Sequence, residues 1–299
     1  MAKAHFLCPH ETDPDIFRES IVYSEAEKGF TSILIEKDYY CSLVLQYFFS
    51  NATQLVFKGG TCFSKVHADF YRLSEDLDFI IPVAAGTTRA QRRAGIKPVK
   101  RIFEKLPSVI PGVTISEQFR GHNESRQYIS CLEYPSFIVE KMEKIQVEVG
   151  LREALLTPPE SKMASTIVVN PFSGQPLLPE YPVNVMALRE AYSEKVRAAL
   201  SRREPAIRDF FDLLYADRMI KLNFLDLDFL NMVKTKIDVP GNDPIDISVD
   251  RKQELNRQLA GQLKPVLRPP DFDGFDLDEA FELVCNIARA LSVLGTRKE

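Results

Sequence analysis

The stretch FKGGTCFSKVHADFYRLSEDLDFII, from Phe57 to Ile81, decides how the rest of the chain is read. Gln54 to Phe57 is a short apolar run bounded by Gly59-Gly60, which predicts a strand followed by a turn. Thr61 to about Ala68 reads as a short helix, and Asp76 to Ile81 as a second strand stopped by Pro82. Alternate residues of a strand face the same side, so Asp76 and Asp78 are expected side by side while Leu77 and Phe79 face the core. Two carboxylates at that spacing repel one another unless cations neutralise them. The stretch is therefore either a solvated strand edge or a ledge that holds a cation.

Mg²⁺, with Mn²⁺ as its substitute, suits such a ledge, because it takes oxygen ligands and commonly binds one or two carboxylates together with substrate phosphates. Two such ions about 4 Å apart activate an attacking hydroxyl and stabilise a leaving pyrophosphate. The turn fits the same chemistry. Gly59 and Gly60 let the main chain approach a phosphate, helix N-terminal amides point at it, and the Thr61 hydroxyl is expected to add a donor. Lys58 is either a phosphate contact or a solvated lysine. Ser74 is expected to reach a phosphate, and Arg72 to pair with Glu75 or with substrate. A glycine pair or a D-x-D alone is commonly plain structure; their union in one strand–turn–helix–strand unit is the informative feature.

Outward from this unit, Ile35 to Phe49 carries apolar and aromatic residues at helical spacing and predicts an amphipathic helix on a core. Gly86 to Leu106 contains the basic run RAQRRAGIKPVKR, expected as loop and helix, with Arg89, Arg92, Arg93, Lys97, Lys100 and Arg101 as its cations. Three strand-like runs follow at Val113–Phe119, Gln127–Glu133 and Lys144–Gly150. The last, KIQVEVG, alternates cleanly, with Ile145, Val147 and Val149 on one face and Gln146 and Glu148 on the other. A proline-rich stretch from Pro158 to Pro182 reads as a connector holding one β segment, Thr166 to Val169. From Ala187 onward the pattern is helical. The expectation is α+β: a mixed sheet with helices over residues 1–185, followed by an all-helical domain over 186–299.

With 299 residues, 45% hydrophobic and 27% charged, the chain has the composition of an ordinary globular protein. Its net charge of -4 excludes binding nucleic acid through bulk positive charge, while a local basic patch stays open. Five scattered cysteines without a C-x-x-C point to a reducing compartment, so a cytoplasmic protein is expected. His5, Cys8 and His10 lie close together, but without a fourth ligand a loose terminus is the better reading than a metal site. No apolar run reaches the ~18 residues of a membrane span, so no membrane association is expected.

KGGT, a 14-residue gap from Cys62 to Glu75, and then DLD within RLSEDLDF resemble the AbiEii/MenT-type nucleotidyltransferases, the toxin-like branch of the polymerase-β-type superfamily. The gap is long for the superfamily at large, whereas the R-x-S-E-D-x-D-F spelling is characteristic of this branch. The helix start Ile35-Glu36-Lys37-Asp38-Tyr39 is similar too. The resemblance implies a polymerase-β-like catalytic domain with a third metal-binding carboxylate on a later strand. Glu148 is the best placed, with Glu143 and Glu133 behind it. It also implies a lysine and an aspartate in the helical half, Lys195 and Asp209, that complete the active site, Lys195 meeting nucleotide phosphates. A surface ion pair between Arg208 and Asp212, four residues apart, is the rival account of that segment. The reaction implied moves a nucleoside monophosphate from an NTP to an acceptor hydroxyl. The acceptor implied is the 3′ end of tRNA, and the role that of a toxin in a toxin–antitoxin or phage-defence pair with a separately encoded antitoxin. Transfer to a protein or small-molecule hydroxyl, and nucleotide binding with little turnover, are the alternatives.

Overall fold

The computed structural model describes residues 7–52, 54–152 and 154–296. The chain divides into two compact units, residues 1–186 and 187–299.

The first unit opens with three helices, α1 (Pro9–Thr12), α2 (Pro14–Lys28) and α3 (Ser32–Asn51). Asp13 caps α2 by accepting from the Ile16 amide, Pro14 occupies its first turn, and Gly29 closes it in the left-handed conformation. Then follow β1 (Val56–Lys58), α4 (Gly59–Cys62) with a π-helical turn at Phe63–His67, and β2 (Leu77–Ile80). After α5 (Arg89–Gly95) and α6 (Lys97–Phe103) come β3 (Thr114–His122), β4 (Gln127–Pro135), β5 (Met142–Gly150), β6 (Glu160–Ala164) and β7 (Tyr181–Val185).

Among the described residues, seven strands form one mixed sheet in the order β3-β4-β5-β2-β1-β7-β6. β1 and β2 are antiparallel, β2 and β5 parallel, and β1 and β7 parallel. Alternation decides the faces: Leu77 and Phe79 of β2 and Ile145, Val147 and Val149 of β5 are buried. Helix α3 covers that face, with the Phe48 and Phe79 rings 5.4 Å apart, edge to face.

Four features differ from the sequence expectations. Strand β2 begins at Leu77, so Asp76 lies one residue ahead of it and not on the ladder. The proline-rich connector contains two strands, β6 and β7, whereas Thr166–Val169 contributes an isolated bridge from Val169 to Pro176. Pro182 is tolerated within β7 because the register with β1 is made further along, at Val185 with Phe57. The helix expected at Thr61–Ala68 is α4 plus the π turn, after which Asp69 and Phe70 take left-handed φ values of 42° and 51°. Finally, residues 8–12 are not loose. His10 is buried among Phe17, Tyr39, Tyr40 and Phe137, with Nδ1 2.7 Å from the Tyr39 hydroxyl and Nε2 3.0 Å from the Pro111 carbonyl. Burial pushes the Cys8 thiol up to about 11, so neither residue is offered as a metal ligand; His5 lies outside the described residues.

The second unit is helical: α7 (Leu188–Ser201), α8 (Ile207–Tyr215) continued by a π turn, α9 (Leu227–Ile237), α10 (Val249–Gln258), α11 (Pro269–Asp273) and α12 (Leu277–Thr296). Helix α7 is its hub. Lys236 of α9 reaches Glu190 at 2.7 Å and Glu194 at 3.3 Å. Arg251 of α10 donates to the Ala199 and Arg202 carbonyls, which satisfies the otherwise open C-terminal end of α7. Among the described residues no helix is long and apolar enough to cross a membrane.

Candidate active site

The sheet register assembles the site. Lys58 of β1 is opposite Asp78 of β2, and Asp78 is opposite Glu148 of β5. Residues paired across neighbouring strands share a face, so these three side chains form one row on the face opposite Leu77, Phe79, Val147 and Val149. Asp76, Asp78 and Glu148 are all half-buried, which keeps them within reach of solvent and substrate.

The glycine turn is fitted to this row. Gly59 has φ of 77°, and a Cβ placed on it would lie 2.2 Å from Asp78 Oδ2. A Cβ on Gly60 would lie 2.7 Å from Ser74 Oγ and 2.8 Å from Arg72 Nη2. Any other residue at either position would collide with the acid or with the Arg72–Ser74 pair. Gly59, Gly60, Arg72, Ser74 and Asp78 thus meet in one place. The Thr61 hydroxyl is buried and donates to the Asp76 carbonyl.

The segment Leu73–Asp76 has no ladder of its own. Its carbonyls are taken by side chains: Ser64 Oγ donates to Arg72 O at 2.6 Å, Arg72 Nη1 to Leu73 O at 3.1 Å, and Cys41 Sγ contacts Glu75 O at 4.0 Å. Lys37 adds an ion pair to Glu75 at 2.8 Å and lies 3.6 Å from Glu143. Burial works to lower the Lys37 pKa, but the Glu75 hydrogen bond and the two nearby carboxylates raise it overall. Glu143 pairs with Lys141 at 2.9 Å as well, and Glu133 with Lys144 at 3.3 Å. Glu148, by contrast, has no lysine or arginine of the described residues in ion-pair range. The two fallback acids are thereby tied into the scaffold, and Glu148 is the strand acid whose register brings it beside Asp78.

Within the second unit, Lys195 lies 2.6 Å from Asp209 Oδ1 and 2.8 Å from Asp212 Oδ2. Asp212 is completely buried, so it is an interior partner of Lys195 and not half of a surface pair with Arg208. Asp209 Oδ2 is buried without a hydrogen-bond partner, the Arg202 guanidinium standing 3.6 Å away.

Residues 44–283 match the family model described as nucleotidyl transferase AbiEii toxin, type IV TA system. The chain belongs to the AbiEii nucleotidyltransferase toxin family. Two solved structures are similar to it. One is JHP933 from Helicobacter pylori, 14% identical, with a TM-score of 0.49 over 90% of this chain and 96% of that one. The other is a candidate nucleotidyltransferase from H. pylori, 14% identical, with a TM-score of 0.45 over 96% of this chain and 99% of that one. Among curated proteins none matches.

For an AbiEii-family chain the donor set bears on whether a divalent cation fits. Among the described residues no group of three His, Cys, Asp or Glu side chains stands ready to hold a metal. What the register supplies is two carboxylates side by side, Asp78 and Glu148, with Asp76 adjacent and Gly59 leaving room against Asp78. Hard oxygen donors in that number suit Mg²⁺, which completes its shell with waters and substrate phosphates. The sequence reading missed the inner support of this site. Lys65 and Asp38 form a fully buried pair at 2.6 Å, and Glu36 accepts from Ser136 Oγ at 2.6 Å and from the Phe137 amide at 2.7 Å. The signal was available: Glu36, Lys37 and Asp38 are three consecutive charges inside an otherwise apolar helix, which is tolerable only if each finds a partner.

Proposed function

We propose that this chain transfers a nucleoside monophosphate from an NTP to an acceptor hydroxyl, with the 3′ end of tRNA as acceptor. The observation that carries the reading is the Asp78–Glu148 register beside the Gly59–Gly60 turn, in a chain of the AbiEii family. The acceptor oxygen bonds to the α-phosphorus, the bond from that phosphorus to the bridging oxygen breaks, pyrophosphate leaves with the electron pair, and the acceptor proton passes to solvent. Asp76, Asp78 and Glu148 would hold Mg²⁺ or Mn²⁺, which when bound neutralises charge on the phosphates. Gly59 and Gly60 give the triphosphate access to main-chain amides, and Arg72, beside Gly60, adds a cation to the same turn. Lys58, in the acid row, moderates its charge before substrate arrives.

The acceptor reading is supported by the face of α5 and α6. Arg92 and Lys100 turn inward to hold the β3–β4 hairpin, Arg92 through the Glu124 carbonyl at 3.0 Å and Lys100 through the Phe119 carbonyl at 2.8 Å. Arg89, Arg93, Lys97, Arg101 and Lys105 are exposed, and none has an ion pair among the described residues. These exposed cations cluster along α5, α6 and the turn after them, a local concentration of positive charge suited to a polyanionic backbone. By family the toxin is restrained by a separately encoded antitoxin.

The test incubates wild type and Asp78→Asn with Mg²⁺, each labelled NTP in turn, and total tRNA or whole lysate. Label in RNA with wild type alone is expected. Label in protein instead would replace the acceptor, and equal labelling by the variant would overturn the assignment of Asp78.

A further inference from the structure

Asp76 stands outside the strand that positions Asp78, so something other than the ladder must fix it. The described donor on its main-chain carbonyl is Thr61, which comes from the glycine turn itself. The neighbouring carbonyls at Arg72, Leu73 and Glu75 are held by Ser64, Arg72 and Cys41, so the segment is pinned at both ends of its short run. Thr61 is 2% exposed, with its hydroxyl hydrogen committed inward; a phosphate lying over Gly59 and Gly60 would meet main-chain amides and not this side chain. The hydrogen bond therefore joins the turn to the acid: a shift of either moves the other.

We propose that Thr61 is a positioning residue for Asp76, its hydroxyl setting the main chain from which the Asp76 carboxylate reaches a divalent cation, and that it is not a phosphate donor. The proposal rests on the metal-dependent reading given above. Outer-shell hydrogen bonds of this kind typically change metal affinity by roughly tenfold or more when removed.

The experiment follows Mn²⁺ binding to the whole protein by electron paramagnetic resonance without nucleotide, so that turnover plays no part. Thr61→Val keeps the shape and removes the hydroxyl, and is expected to weaken Mn²⁺ binding about tenfold. Thr61→Ser is expected to restore it, while nucleotide affinity at saturating Mn²⁺ stays at the wild-type value in both. Thr61→Ala enters the same titration should the valine variant fail to fold, as judged by near-UV circular dichroism. Wild-type Mn²⁺ affinity in the hydroxyl-free variant overturns the proposal. So does a loss of nucleotide affinity at unchanged Mn²⁺ affinity, which would make Thr61 a phosphate contact. Asp76→Asn separates the two levels of inference. If it binds Mn²⁺ like wild type, the metal reading fails and the positioning role with it; if it loses Mn²⁺ while Thr61→Val does not, only the positioning role fails.

Discussion

Each unit contains a lysine clasped by aspartate, fully buried in the first and half-buried in the second, and the two clasps are built differently. In the first unit Lys65 meets Asp38 Oδ1 at 2.6 Å and Ser42 Oγ at 2.7 Å, while Asp38 Oδ2 accepts from Thr166 Oγ1 and the Ile167 amide, both at 3.0 Å. Both carboxylate oxygens and the ammonium are satisfied. In the second unit Lys195 is shared by Asp209 and Asp212, and Asp209 Oδ2 is left buried without a hydrogen bond. A closed buried network fixes structure, whereas one with an unsatisfied oxygen holds a group in a costly state that a ligand can relieve. The first clasp ties helix α3 to the turn after α4; the second leaves one carboxylate oxygen without a hydrogen bond, 3.6 Å from the Arg202 guanidinium.

The largest expected effect tests the closed clasp. Asp38→Ala strands a buried ammonium and should cost about 4 kcal/mol of stability in urea unfolding. A loss under 1 kcal/mol would break the comparison, since the network would then not be carrying structure. His67 offers a milder probe in the same unit. Its Nε2 lies 3.2 Å from the Met186 carbonyl, and its Nδ1 is buried without a partner. Burial, helped by the Lys162 charge, lowers its pKa to about 4. A folded pKa below the unfolded value of about 6.5 means the unfolded chain takes the proton first. Stability is therefore full above pH 6.5 and drains as pH falls towards 4, by about 3 kcal/mol from this residue. His67→Gln should flatten that part of the stability profile, and an unchanged slope would reassign it to other groups. The smallest effect concerns the open clasp. Asp209→Asn removes one of the two carboxylates on Lys195 but leaves Asp212 in place, so it should cost less than Asp38→Ala, about 1 kcal/mol of stability. Nucleotide transfer by the same variant should fall about tenfold, equivalent to roughly 1.4 kcal/mol of barrier. Loss of stability on the scale of Asp38→Ala would erase the distinction between the two clasps.

Much of this arrangement was legible beforehand where one local pattern decided the outcome. KIQVEVG could alternate in only one way, so β5 and the outward face of Glu148 followed from it. The glycine turn between two strands was readable for the same reason. The β6 strand was not: Glu160–Ala164 is a polar, half-exposed edge with weak strand preference, held by pairing with β7. Tyr181–Val185 was hidden by Pro182, whose missing amide argues against a central strand; it pairs with Met163 of β6, while the β1 pairing is made further along, at Val185. The buried charges of α3 were misjudged as an ordinary amphipathic face, because their partners Lys65, Glu75 and Ser136 are distant in sequence. The fate of the Thr61 hydroxyl depended on where Asp76 ends up, which no local pattern states.

The parallel pairing of β2 with β5 also governs when the candidate site comes together as the chain is made. Asp78 and Glu148 are 148 − 78 = 70 positions apart, and their strands are joined by a crossover carrying two helices and a hairpin. Pairings of such separation form late and slowly, after local hairpins and helices. A nascent chain that has exposed Asp78 but not β5 carries Asp76 and Asp78 without Glu148 beside them. Synthesis therefore brings Asp78 and Glu148 side by side only when the sheet is completed.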